Sequence, residues 1–347
     1  MARKALVIAP GRGTYTKTEL GYLKKHRPRR QAFLAGLDAR LAALSLPTVS
    51  ELDDAEKFSP ATHTPGERAS TLIFACSAAD FLAIDRAQYD IVAVTGNSMG
   101  WYTALWCGGA LDDGPAFDVI HTMGSMMKGG VVGGQLIYPV VGDDWRLDPE
   151  RLGAVERGLA TVGQLPGAEA YVSIRFGGYA VIGGNEAGLA HLMKTLLPVD
   201  DKKYPFQLVN HAAFHTPLLK ETSDRAFTLL GTELFRKPRH PLVDGRGAIW
   251  QPYATDVEAL RQYTLGHQVH ELYDFSAAVG VALKEFAPDC LILLGPGSTS
   301  GGAIAQILIE NRWFGIASKA DFQKRQETDP VLLAMGREDQ LKLVAAL

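Results

Sequence analysis

Apolar positions fall into two rhythms along the chain. Short continuous runs at Lys4–Ala9, Tyr89–Thr95 (YDIVAVT) and Cys290–Leu294 (CLILL) read as buried strands. Each run ends in a glycine-bearing turn: Pro10-Gly11, then Gly96-Asn97-Ser98-Met99-Gly100, then Gly295-Pro296-Gly297. Between them the apolar spacing becomes helical, as at Phe33, Leu34, Leu37, Leu41 and Leu44, over 69–85, after Gly100 and from about Gly302. Strand, tight turn, helix is the alternation of an α/β fold with a mostly parallel sheet. The middle of the chain differs. Strands are predicted over 135–141, 168–175, 178–182 and 204–209, with helices over 149–159 and 186–197. That order, β-α-β-β-α-β, is the split pattern of a ferredoxin-like unit. The chain therefore divides into a core of residues 1–132 and 205–347 and an inserted subdomain of 133–204. Residues 45–66 and 236–252 read as loops, 217–231 and 269–287 as helices, and 312–318 as a last strand.

Composition narrows the class. With 347 residues, 47% apolar and a net charge of −3, the chain suits a folded soluble core without global attraction for nucleic acid or an anionic membrane. Cys76, Cys107 and Cys290 are scattered and form no CxxC. That argues against a disulfide scaffold or structural zinc and fits a reducing, cytoplasmic compartment. The start has no apolar h-region, and no run approaches the roughly 18 apolar residues of a membrane span. Neither a signal peptide nor a transmembrane helix is expected.

The chemistry lies in the turns. Gly96-Asn97-Ser98-Met99-Gly100 matches G-x-S-x-G between a predicted strand and a predicted helix. Two glycines permit the sharp bend, which lifts Ser98 Oγ above the sheet edge and aims the Met99 N–H at a developing oxyanion. A serine nucleophile needs a base. Two of the nine histidines, His211 and His215, stand close together in Asn210-His211-Ala212-Ala213-Phe214-His215, and the residues alone do not choose between them. Pro10-Gly11-Arg12-Gly13 could supply a second backbone N–H to an oxyanion. It lacks the GK[ST] ending of a P-loop. Gly295-Pro296-Gly297 lies at another strand end, where α/β sheets place ligands, although a packing turn reads the same.

Together, in this order and around a βαββαβ insertion, these motifs resemble the malonyl-CoA:acyl-carrier-protein transacylase family, which includes the acyltransferase domains of fatty-acid and polyketide synthases. The family's PGQG turn corresponds to Pro10-Gly11-Arg12-Gly13, and its GHSxG elbow to Gly96–Gly100. Its HAFH-type motif corresponds to Ala212-Ala213-Phe214-His215, which selects His215, and its GPG turn to Gly295–Gly297. The resemblance covers nearly the whole chain. It implies an α/β-hydrolase-like core with an inserted ferredoxin-like subdomain. It also implies ping-pong acyl transfer from acyl-CoA to a phosphopantetheinylated acyl carrier protein. Ser98 would be the nucleophile and His215 the base, with the Met99 and Arg12 N–H groups as oxyanion hole. A backbone carbonyl within 268–271 would orient the histidine, and no bound cofactor or metal is implied.

Three residues depart from the family pattern. The arginine of an R-G-x-x-M motif, which pairs with the malonyl carboxylate, is replaced by Met123 in Met123-Gly124-Ser125-Met126-Met127. Burying a carboxylate against a thioether costs on the order of several kcal/mol, so the expected acyl group is uncharged. The PGQG glutamine is Arg12, whose side chain offers an alternative, namely a malonyl transferase with a relocated cation. Asn97 replaces a histidine beside the nucleophile and, with Met123 and Phe214, is assigned to the acyl pocket. Phe214 matches relatives that take unbranched malonyl units. A carrier-protein thioester hydrolase on the same scaffold is the other alternative. The basic runs 24–30 and 236–240 read as solvated faces, with steering of an acidic carrier or of CoA phosphates as the competing reading.

Overall fold

The computed structural model describes residues 2–346, apart from the side chains of residues 27–29. Its first sheet is built from the predicted apolar runs. β1 (Arg3–Ala9) lies between β2 (Tyr89–Gly96) and the later strand of Cys290–Leu293, with Val7 opposite both Val94 and Ile292. Residues 5–9 of β1 and all of Cys290–Leu293 are buried, as expected of strands covered by helices on both faces. The insertion follows with β3 (Gly134–Pro139), β4 (Ala170–Phe176), β5 (Tyr179–Gly184) and β6 (Phe206–Leu208). The chain then returns to add β7 (Leu242–Val243), β8 (Ile249–Trp250), β9 (Tyr273–Asp274), β10 (Cys290–Leu293) and β11 (Leu332–Ala334).

The first sheet has the order β11-β10-β1-β2-β7-β8 and is parallel except for the β7–β8 hairpin. The second has the order β6-β3-β5-β4-β9, antiparallel through its four ferredoxin-like strands. Helices Pro149–Val162 and Glu186–Thr195 cover it, and their Val155, Val162, Leu189 and Leu192 form a small core of their own with Leu136 and Ile182. β6 lies past residue 204, the expected end of the insertion, because pairing of Leu136 with Gln207 holds it to β3. β9 comes from the core chain and lies parallel to β4, joining the two sheets.

Several elements differ from expectation. Residues 312–318 form no strand: Arg312 and Phe314 have φ of 48° and 51°, left-handed values that end an extended run. The last strand is instead the three-residue β11. The helix expected over 269–287 is interrupted. Glu271 is extended, and Asp274 caps a fresh helix, Phe275–Phe286, by accepting from the Ala277 N–H at 2.8 Å. The two expected loops contain the short helices Val49–Asp53 and Pro60–His63 and the β7–β8 hairpin. Among the described residues no helix is long and apolar enough to cross a membrane.

Candidate active site

β2 turns into helix Gly100–Cys107 through the elbow that the motif predicts. Ser98 sits at φ 55°, a left-handed conformation costing a non-glycine residue on the order of 1–3 kcal/mol. Backbone encloses both flanking glycines. A Cβ on Gly96 would lie 2.2 Å from Gly100 O, and one on Gly100 would lie 2.4 Å from Ala9 O. The bend is closed by Gly100 N–H donating to Asn97 O (2.8 Å) and Trp101 N–H donating to Ser98 O (2.9 Å). Asn97 N–H donates to Ala9 O (3.0 Å), tying the elbow to the end of β1. The Tyr273 hydroxyl, from β9, donates to Gly96 O.

Ser98 Oγ is 2.8 Å from His215 Nε2. On the other side of the ring, Nδ1 is 2.5 Å from Gln268 O, within the expected 268–271 stretch. A carbonyl only accepts, so Nδ1 carries the proton and the lone pair of Nε2 faces the serine. His215 is buried. Burial lowers its pKa to about 4, the Gln268 carbonyl opposes that shift, and the charge of nearby His267 adds to it. The ring rests against Tyr273, with centroids 5.2 Å apart. The insertion holds this turn in place. Ser173 Oγ of β4 and Gln135 Nε2 of β3 both donate to Phe214 O, at 2.9 and 3.3 Å.

Sequence reasoning missed the residues behind the dyad. The Gln268 side chain accepts from the Tyr102 hydroxyl (2.8 Å) and donates to Ser98 O (3.1 Å), while its backbone orients His215. One buried residue thus touches both partners. The two side-chain contacts, like that of Tyr273, span more than a hundred residues of sequence, and no local spacing announces them. His211 makes no contact with Ser98. Its Nδ1 donates to Val209 O (2.9 Å) and its ring lies beside Gly13.

Among the other expected site groups, neither the Arg12 nor the Met99 N–H donates to any described atom. The turn carrying Arg12 packs on the elbow: a Cβ on Gly11 would lie 2.9 Å from Asn97 O. Asn97 Oδ1 is buried without a partner. Met123 is buried in helix Asp113–Ser125, and Phe214 is half-buried with its ring 6.3 Å from that of His215. The Gly295–Gly297 turn is fixed by packing. Gly295 N–H donates to buried Asp80 at 2.7 Å, and Ser77 Oγ donates to Gly295 O at 2.5 Å.

In the basic runs Lys24, Lys25, Lys237 and Arg239 are exposed as expected, but other members are engaged. His26 is buried with Nε2 2.7 Å from Asp80 Oδ1, and Lys25 Nζ lies 3.5 Å above the Tyr22 ring. Arg236 is engaged by Gly109 O and Asp112. The side chains of residues 27–29 lie outside those described.

No protein-family model matches the chain, and no curated protein matches it. Solved structures do. An acyl-carrier-protein S-malonyltransferase from Burkholderia pseudomallei 1710b superposes with a TM-score of 0.72 at 19% identity, over 98% of each chain. The Synechocystis sp. PCC 6803 malonyl-CoA:ACP transacylase gives 0.73 at 16% identity, over 99% of this chain and all of that one. A malonyl-transacylase solved with a type II polyketide-synthase acyl carrier protein gives 0.72 at 18%, over 98% of each. This chain has the malonyl-CoA:ACP transacylase fold. At these identities the likeness establishes that architecture end to end, including a mostly parallel core sheet and a ferredoxin-like second sheet.

Proposed function

We propose that the protein is an acyltransferase that moves an acyl group from a CoA thioester to the phosphopantetheine thiol of an acyl carrier protein, through an ester on Ser98. The observation that carries this reading is the 2.8 Å contact between Ser98 Oγ and the unprotonated nitrogen of His215. His215 Nε2 takes the hydroxyl proton as Oγ attacks the thioester carbon. The oxyanion forms against the Met99 and Arg12 N–H groups. The C–S bond breaks and the proton on Nε2 passes to the departing CoA sulfur. In the second half His215 takes the proton of the carrier thiol. Its sulfur attacks the ester, and the proton returns to Ser98 Oγ. Gln268 O holds the imidazole in the required tautomer, and it stabilises the imidazolium in both halves.

The fold supports the same assignment, since its structural neighbours include a transacylase solved with its acyl carrier protein. Intact-mass spectrometry after mixing with acyl-CoA tests it. The protein should gain one acyl mass, which holo carrier protein then removes as acyl-carrier. Ser98→Ala should gain none. An adduct that persists in Ser98→Ala refutes the nucleophile. An adduct that water discharges as fast as the carrier does makes the protein a hydrolase.

A further inference from the structure

We infer that His267 and Glu271 are positioning residues for the base, a clasp that closes the short segment on which His215 is hung. This rests on the acyl-transfer reading of Ser98 and His215, and it concerns how that site is set.

Both hydrogen bonds that fix His215 end on adjacent residues. Its backbone N–H donates to Val269 O at 2.8 Å, and its ring Nδ1 donates to Gln268 O at 2.5 Å. These two residues lie between His267 and Glu271, where the chain is not a plain helix. After helix Val257–Gln262, residues Tyr263–His267 make a π-turn, in which the Gln268 N–H reaches back five residues to Tyr263 O. Such turns are rare and recur at functional sites. The front of this one is anchored to the core. Leu265 O accepts from Ser223 Oγ at 2.6 Å, and Thr264 Oγ1 accepts from Trp101 Nε1 at 3.0 Å. The pair holds the far end. Glu271 N–H donates to His267 O at 2.9 Å, and Glu271 Oε2 lies 2.9 Å from His267 Nδ1. Glu271 is extended, so the helical segment stops there. Two residues on stands Tyr273, which supports the His215 ring and donates to Gly96 O.

A carboxylate only accepts, so His267 Nδ1 carries a proton. Its Nε2 is buried without a partner, and its ring stacks on Tyr263 with centroids 5.7 Å apart. Among the described residues, Glu271 is therefore the hydrogen-bond partner that orients this ring. An i,i+4 pair of this exposure contributes little to stability. Placement is another matter, because a shift of about 1 Å in a reacting group costs far more in rate than in stability. The charge of His267 acts on the same imidazole. It opposes protonation of His215, in the same direction as burial and against the Gln268 carbonyl. The other ionisable group against that ring, Tyr273 of β9, stays neutral because burial pushes its hydroxyl well above the ordinary tyrosine range. Burial does the same to Tyr263, beside His267.

Three variants separate placement from charge. Glu271→Ala breaks the clasp and leaves the His267 charge. His267→Ala removes both. His267→Lys keeps a cation that can pair with Glu271 one turn away. Adduct formation from acyl-CoA is followed by intact mass from pH 3.5 to 8. The Cε1–H NMR titration of His215, identified by its loss in His215→Gln, is read without substrate. Both alanine variants should acylate roughly 10-fold more slowly on the plateau above pH 6, with a thermal midpoint within about 2 °C of wild type. His267→Ala alone should raise the His215 titration midpoint, by about half a pH unit, the scale of one screened like charge. His267→Lys should restore the wild-type midpoint and most of the rate. An unchanged plateau in Glu271→Ala overturns the inference, as does an unchanged His215 midpoint in His267→Ala. So does a rate loss matched by a collapse of the thermal midpoint, which would make the pair merely structural. A wild type that forms no adduct with any acyl-CoA refutes the Ser98 reading instead, and the NMR titration then still decides the role of the pair.

Discussion

The protonation of His215 gives the sharpest quantitative test of the proposed chemistry. Its imidazole is buried and held near a pKa of 4, with Gln268 O fixing the proton on Nδ1. A base works only while Nε2 is free. With a pKa of about 4, about 90% of the molecules keep that lone pair at pH 5, against about 3% for an ordinary histidine of about 6.5. The two cases differ about 30-fold in acylation rate at one pH. The assay is single-turnover formation of the Ser98 adduct from pH 3.5 to 8, at substrate well below saturation, so that the free enzyme is the species titrated. The rate should stay flat from pH 8 to about 5 and fall with a midpoint near 4. Stability should follow with a worked sign. Above pH 6.5 the ring is neutral folded or unfolded and contributes nothing. Below 6.5 the unfolded chain binds the proton first, so folding loses stability, and the loss reaches about 3 kcal/mol by about pH 4. His215→Gln should remove that part of the acid slope. An acylation midpoint near 6.5 would refute the reasoning, because it would mean that water reaches the imidazole in the working enzyme.

Two further substitutions test the scaffold. Gly100→Ala would press a methyl group against Ala9 O and Pro10 O, both backbone and neither able to swing aside; it should cost about 3 kcal/mol or more in chemical denaturation and slow acylation at least about 100-fold. Gln268→Ala keeps the carbonyl that orients His215 but strands the Tyr102 hydroxyl and removes one of the two donors to Ser98 O. It should destabilise by about 2–4 kcal/mol and reduce acylation more modestly, about 10-fold, as read by the same adduct assay.

The legible parts of this molecule are those where local sterics and long-range structure agree. A buried strand that must bend back over its own end needs glycine on both sides of its apex, so Gly96 and Gly100 announced Ser98 before any partner was known. Buried strands such as β1 and β10 announced themselves by unbroken apolar runs. The base was harder. Nothing local separates His215 from His211; the choice came from resemblance, and its physical basis is that residues 213–216 are pinned by β3 and β4 while His211 turns to Val209 O. Gln268, Tyr102 and Tyr273 act through backbone carbonyls and hydroxyls across the fold, and no spacing encodes that. The missed hairpin β7–β8 and strand β11 are two or three residues per strand, too short for any period to show. Arg12 was visible as a cation on a glycine turn. That its guanidinium meets Thr64 O and Asn210 O is something a linear reading cannot show.

Tyr273 shows why the insertion and the core have to act together. It belongs to β9, which pairs with β4 of the second sheet, yet its hydroxyl donates to Gly96 O at the end of β2, and its ring supports His215. Parting the sheets would remove that donor from the elbow, release the turn held by Ser173 and Gln135, and separate base from nucleophile. The proposed reaction uses the same dyad twice, first against a CoA thioester and then against a carrier thiol. A dyad fastened from both sheets cannot be dismantled between the two halves without losing the catalyst. On the proposed mechanism, exchange of CoA for the carrier arm therefore takes place with the sheets docked throughout. On this view the strain at Ser98 is sustained by contacts from both sheets, which is why a serine at φ 55° is stable here.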